Sequence, residues 1–256
     1  MNFKVIRIFI LLLILCYVGL DTLLSHARVT SWKNSLRVVI YPVNADGSTQ
    51  TENYISQLDL SRFDSIKTIL KTEAFRYGLK LSKPITINLA DQLKSLPPEL
   101  PQDRNMLNVM WWSLKLRFWS WKEDNYKGIQ PHIRVYALFF NPQTQRVLAH
   151  STGLEKGKIA VIQLFASNQY SQQNNVIIFH ELLHTLGATD KYNMSNNLPV
   201  YPDGYADPES IPLYPQRKAE IMGGRIALSE TKASIPPGLS KTVIGPKTAE
   251  EIGWVK

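Results

Sequence analysis

One cysteine, Cys16, in 256 residues rules out a disulfide framework and every cysteine-built zinc or iron–sulfur module, so any metal site must be made from His, Asp and Glu. Glycine-rich phosphate loops and a G-x-S-x-G elbow are both missing, which removes the common nucleotide-binding and serine-hydrolase signatures. There is no internal repeat and no low-complexity tract, so solenoids and disordered arrays are excluded. Basic side chains outnumber acidic ones, 29 to 21, but they are scattered along the chain. No nucleic-acid partner is therefore expected. With 44% hydrophobic and only 20% charged residues, the chain has the apolar material for a folded core.

The N-terminus carries Lys4 and Arg7, then an uncharged run over residues 8–20 (IFILLLILCYVGL), then Asp21. A basic flank before a short apolar run predicts an export segment, and Ser25-His26-Ala27 offers the small residues that a signal peptidase reads. If Val5, Leu23 and Leu24 also enter the bilayer, the segment approaches the ~20 residues of a spanning helix with its basic end cytoplasmic. Cleaved signal and uncleaved membrane anchor both remain open. Leu15 before Cys16 argues against lipid attachment, which needs a small residue there. Residues 1–27 are thus a signal peptide or anchor, and residues 28–256 the exported part, periplasmic or secreted if cleaved. That part keeps 27 basic and 20 acidic side chains, a formal charge of +7, which favours anionic envelope surfaces.

Residues 35–41 (SLRVVIY) form a β-branched run that Pro42 is expected to stop, and the polar stretch 44–53 reads as a loop. Over residues 61–79, Phe63, Ile66, Ile69, Leu70, Phe75 and Leu79 recur at helical spacing, with Ser61 as N-cap and Gly78 near the end. Residues 85–89 return to strand, which predicts a parallel pair with a crossover helix. Residues 105–121 hold four of the six tryptophans. They read as a helix whose aromatics cover the sheet, the alternative being a membrane-surface or partner-binding face. Residues 133–140, 146–150 and 158–166 are strand-like. The fold class expected is α/β (α+β), with a mixed sheet of about five strands and a short C-terminal helix over residues 248–254.

The decisive stretch runs from Val176 to Asp190 and contains His180-Glu181-Leu-Leu-His184. Residues four apart lie on one face of a helix, so His180 and His184 can present imidazole nitrogens to one metal ion. Glu181 fits poorly as a third ligand from the same turn, but its carboxylate can reach a water held there, which makes it the candidate general base. The helix is apolar nearly all round, which places it deep in the molecule. Gly187 can take positive φ and stop the helix, and Asp190 can then close a His-His-Asp site with one tetrahedral position left for water. A later glutamate, Glu209, Glu220 or Glu230, is the competing third ligand. Asp203, Asp207 and Glu209 read as turn residues rather than a Ca²⁺ loop.

His180-Glu-x-x-His184-x-x-Gly187-x-x-Asp190 resembles the zinc signature of the metzincin metallopeptidases, in the variant with aspartate as third ligand. Ile221-Met222-Gly223-Gly224, 38 residues after His184, is similar to the family's Met-turn, whose methionine forms an apolar floor under the metal. The resemblance implies a zincin-like domain with a central zinc-binding helix, an upper subdomain over residues 28–187 and a lower one over residues 188–256. It also implies one catalytic Zn²⁺, a peptide or protein substrate, and a role in substrate recognition for the aromatic, proline-rich segment carrying Tyr192, Tyr201 and Tyr205. Some members carry a tyrosine two residues after the Met-turn methionine. Gly224 stands there in this chain, so no tyrosine ligand carries over. The expected activity is metal-dependent peptide hydrolysis, with an extended substrate paired to an edge strand at residues 146–150 or 158–166. The competing readings are a zinc-containing binding protein of the envelope and a hydrolase of non-peptide cell-wall amides.

Overall fold

The structure is a computed structural model that describes residues 5–9, 12–13, 29–101, 103 and 105–255. Cys16 and residues 25–27 lie outside them. No helix among the described residues is long and apolar enough to cross a membrane.

The chain has a mixed α/β fold. Strands β1 (Leu36–Asn44), β2 (Ile85–Leu89), β3 (Ile133–Phe140), β4 (Thr152–Leu154) and β5 (Ile159–Phe165) form a sheet in the order β2-β1-β3-β5-β4. Four strands are parallel, and β4 alone runs antiparallel, along β5. β1 and β3 are buried over almost their whole length, which is why their sequences read as continuous apolar runs rather than alternating ones. The crossover between β1 and β2 is helical, as the sequence periodicity predicts.

Helices α1 (Thr49–Ser56), α2 (Asp64–Arg76), α3 (Met106–Lys122), α4 (Ser171–Leu186) and α5 (Pro246–Glu251) surround this sheet. Val38, Ile40, Ala137, Phe139 and Ile162 point to one face, where α1, α2 and α4 pack, joined by Ile221, Met222, Ile244, Ile252 and Trp254 from the C-terminal part. Val39, Tyr41, Tyr136 and Leu138 point to the other, covered by Trp112, Leu116 and Trp119 of α3. The His-bearing helix α4 and the tryptophan-rich helix α3 therefore lie on opposite sides of the sheet. Beyond α4, besides α5, the strands are two residues long, β6 (Ala219–Glu220) with β9 (Thr242–Val243) and β7 (Ile226–Ala227) with β8 (Ala233–Ser234).

Several sequence expectations are corrected. Pro42 does not stop β1. Its carbonyl accepts from Leu93 on the β2 side, and the regular β1–β2 pairing ends at Leu89, so its missing N–H faces a place where no ladder partner is needed. The polar stretch 44–53 contains the start of α1, whose N-cap Ser48 accepts from the Thr51 N–H. Only Ile55 and Thr51 of that helix are buried, too few to give a periodic signal. The helix expected over residues 61–79 begins as a 3₁₀ turn capped by Asp59, not Ser61, and α2 ends at Arg76 before Gly78 at φ +83°. Phe75, counted on its apolar face, is 81% exposed. Residues 146–150 are irregular, and the edge strand is β4, a few residues later. The Ala149 N–H is taken by the Gln163 side chain and Val147 is exposed.

β4 is pressed onto α4 at the position that matters most. A Cβ added to Gly153 would lie 2.4 Å from the Glu181 carbonyl oxygen and 2.7 Å from the His184 Cβ. Gly153→Ala should cost about 1–3 kcal/mol of stability, read as a lower midpoint in urea unfolding. An unchanged midpoint would mean that β4 yields at no cost.

Candidate metal centre

α4 is fixed at both ends by polar contacts that its apolar flanks could not supply. Asn174 near its start exchanges two hydrogen bonds with the backbone of Phe165 at the end of β5. Asn175 donates to the Arg62 carbonyl and to Ser65. At the other end the buried Lys158 ammonium donates to the Thr185 carbonyl, 2.8 Å away, placing a cation where the helix dipole is negative. Burial pushes that ammonium's pKa down. The helix stops at Gly187, whose φ of +109° is open to glycine at no steric cost, and the chain turns back past the histidines.

Each histidine is oriented by a backbone carbonyl. His180 Nδ1–H donates to Ile221 O at 2.9 Å, and His184 Nδ1–H to Ala188 O at 2.8 Å. This assigns the tautomer, leaving both Nε2 atoms as unprotonated acceptors. They lie 3.1 Å apart, and Asp190 Oδ1 is 3.1 Å from one and 3.2 Å from the other. Three acceptors at such range repel unless a cation or a proton sits among them. A tetrahedral ion with bonds near 2.0 Å spaces its ligands by roughly 3.3 Å, so the triangle fits a zinc-sized ion, and the N,N,O donor set suits one. Burial opposes charge on Asp190, yet imidazoles that carry a proton at Nε2 donate to it and hold its carboxyl far below the usual carboxylate range.

Glu181 lies beside this triangle. His180, Glu181 and His184 form the one group of potential metal-binding side chains found among the described residues, with ligand atoms within 4.8 Å of one another. Glu181 Oε2, however, is buried without any hydrogen-bond partner, whereas Asp190 Oδ1 touches both Nε2 atoms. Burial raises the Glu181 pKa, opposed by the two imidazoles and by the Gly153 N–H. The competing third ligands are elsewhere. Glu209 and Glu230 are exposed, and Glu220 is fully buried, accepting from Gly223 N, Gly245 N and Thr248 Oγ1. Asp203 and Asp207 are exposed and join no such group.

The turn at residues 221–224 supports both halves of the triangle. Ile221 O orients His180, and the next carbonyl, Met222 O, accepts from Lys191 N at 2.9 Å, beside Asp190. Met222 is fully buried in the core. Glu251 of α5 completes the support, accepting from Thr189 N, Thr189 Oγ1 and the Lys191 ammonium, the last at 2.7 Å. Asp190 is thus bracketed on both sides. Nothing local in the sequence links Glu251 to a residue some sixty positions earlier, so pattern reading could not find it.

An apolar cavity of about 340 Å³ opens beside His180, walled by Phe165, Tyr170, Val176, Ile177, Tyr192 and Ile235 among others. Of the three tyrosines singled out by sequence, the structure brings only Tyr192 to it. Burial, then Asp190 and Glu181, push the Tyr192 pKa up to about 12, so its phenol stays protonated. Tyr205 is buried and hydrogen-bonded to the Tyr214 hydroxyl, and Tyr201 packs edge-on against Tyr205. Both brace the proline-rich loop rather than line the cavity. No protein-family model and no curated protein matches the chain.

Lys191 and Glu251 form a buried pair, with side chains 5% and 16% exposed. Removing one partner strands the other, so Glu251→Ala should cost about 3 kcal/mol or more, measurable by denaturant unfolding. Burial opposes charge on Glu251, but its bonds to Lys191 and Thr189 lower its pKa overall. Its contribution is complete above the ordinary glutamate pKa of about 4.3 and is lost as pH falls through the lower folded value. Unfolding free energy should therefore fall less steeply with acid in Glu251→Gln than in wild type.

Proposed function

We propose that this chain is a zinc-dependent peptidase of the metzincin type, with His180, His184 and Asp190 as metal ligands and Glu181 as general base. One observation carries the reading. Three converging acceptor atoms stand beside an unpartnered buried carboxylate oxygen, and one of the three belongs to His180, which lines an apolar cavity. Zinc held by these residues would polarise a substrate carbonyl and make a water more acidic.

The protein's own side chains account for the remaining steps. Glu181, held in a setting that raises its proton affinity, takes a proton from the attacking water as its oxygen bonds to the carbonyl carbon. It then delivers that proton to the leaving nitrogen as the C–N bond breaks, giving a carboxylic acid and an amine. Among the described residues β4 pairs only with β5, and an extended peptide laid along its outer edge would be aligned by backbone hydrogen bonds. The cavity beside His180 accepts an apolar side chain of that peptide, and the protonated Tyr192 hydroxyl in its wall is available as a donor. On this reading the protein works outside the cytoplasm, anchored by residues 1–27 or released after their cleavage.

The test pairs metal analysis with a peptide-library assay read by mass spectrometry. Wild type and Glu181→Gln should each hold one Zn²⁺ per chain, and the variant should cleave about 10²–10⁴-fold more slowly. Asp190→Ala and His184→Ala should lose the ion. Zinc in both proteins with cleavage by neither would overturn peptide hydrolysis, and no zinc after reconstitution would overturn the ligand set.

A further inference from the structure

Helix α3 turns one apolar face to the sheet and the 90–100 segment and, among the described residues, leaves a second one exposed. Trp112 and Leu116 are buried against the sheet and Trp119 packs behind them, while Leu107, Trp111, Leu114, Phe118 and Trp121 are each more than half exposed. These five recur at intervals of four, three, four and three residues, which lines them up along one side of the helix for about 21 Å. Isolated exposed apolar residues need no explanation, but a continuous stripe marks a surface that something covers.

The charges decide what covers it. The 17 residues of α3 contain Lys115, Arg117 and Lys122 and no carboxylate. Lys115 stands over the Trp111 ring, with its ammonium 5.5 Å from the centroid, and Lys122 is only loosely paired to Glu123 at 3.6 Å. A second copy docking through the same stripe would set these cations against themselves, with no carboxylate on either helix to pair them. The uncharged run at residues 8–20 would cover the stripe but leave the cations without counter-charge. Anionic headgroups supply that charge, and the acyl boundary beneath them takes Trp, Phe and Leu.

We infer that α3 is an interfacial membrane-docking helix, laying its Leu107–Trp121 stripe into the headgroup boundary of an anionic bilayer with Lys115 and Lys122 on lipid phosphates, while Arg117 is turned to the Lys156 carbonyl. The sheet separates α3 from α4, so docking leaves the cavity beside His180 uncovered. The inference does not depend on the metal site.

Tryptophan quenching by bromine-labelled lipid tests it on the full-length chain reconstituted into vesicles. With brominated phosphatidylglycerol and phosphatidylcholine mixtures, wild type should be strongly quenched, and Trp111→Phe/Trp121→Phe should lose most of that quenching. Lys115→Glu/Lys122→Glu should weaken it on the order of 20-fold, taking about fivefold per cation, as should vesicles of phosphatidylcholine alone. Circular dichroism checks that the variants are folded. Equal quenching in wild type and the tryptophan variant would overturn docking, and equal quenching on zwitterionic vesicles would overturn the role of the cations. Sedimentation velocity in detergent tests the competing occupant. A dimer dissolved by Leu114→Asp/Phe118→Asp would show the stripe covered by a second copy instead of lipid.

Discussion

Two imidazole nitrogens and one carboxylate oxygen, all acceptors in the tautomer that the backbone imposes, are held within 3.2 Å of each other. Such an arrangement opposes itself electrostatically, so the surrounding structure must enforce it until a positive charge relieves it. The enforcement comes from four directions. Gly187 reverses the chain, Ala188 O and Ile221 O orient the rings, Met222 O holds the Asp190 loop, and Glu251 clamps both residues that flank Asp190. Each is a backbone or buried polar contact whose loss would let the three acceptors drift apart.

The sheet's part is to provide a rigid floor for α4. Its central strands are parallel and buried on both faces, so neither side of β1 or β3 is free to adapt to solvent. β4 breaks the parallel pattern, and its reversal brings a glycine rather than a side chain against Glu181 and His184. A larger residue would push the edge strand off the helix, and with it the backbone edge on which substrate alignment is proposed to depend. Specific placement of an edge strand and of a helix thus meet at one residue without a side chain.

Much of this is legible in the sequence where one local pattern has one physical outcome. The β-branched runs at residues 133–140 and 85–89 form strands within a residue of their expected limits, because buried parallel strands leave a continuous apolar signature. His180, His184, Gly187 and Asp190 are readable because helical spacing and a positive-φ stop bring them together within one segment. Pro42 misleads because the consequence of a missing N–H depends on whether a partner strand is present beside it, a fact about the neighbouring strand. α1 is hidden because its stability comes from a cap and two buried residues, not from periodicity. Composition turns the tryptophan-rich helix towards the sheet or away from it, and the helix faces both ways. Tyr201 and Tyr205 look like recognition residues in sequence, but aromatic composition alone does not say which way a loop turns its rings.

The clamp by Glu251 also orders events in time. Residues 180–190 are synthesised well before residue 251, and until that glutamate arrives the Asp190 segment has neither its anchor at Thr189 nor the partner for Lys191. A nascent chain thus carries both histidines without a braced third acceptor. A chain clipped ahead of α5 would be in the same state, so the geometry around Asp190 depends on a segment some sixty residues away.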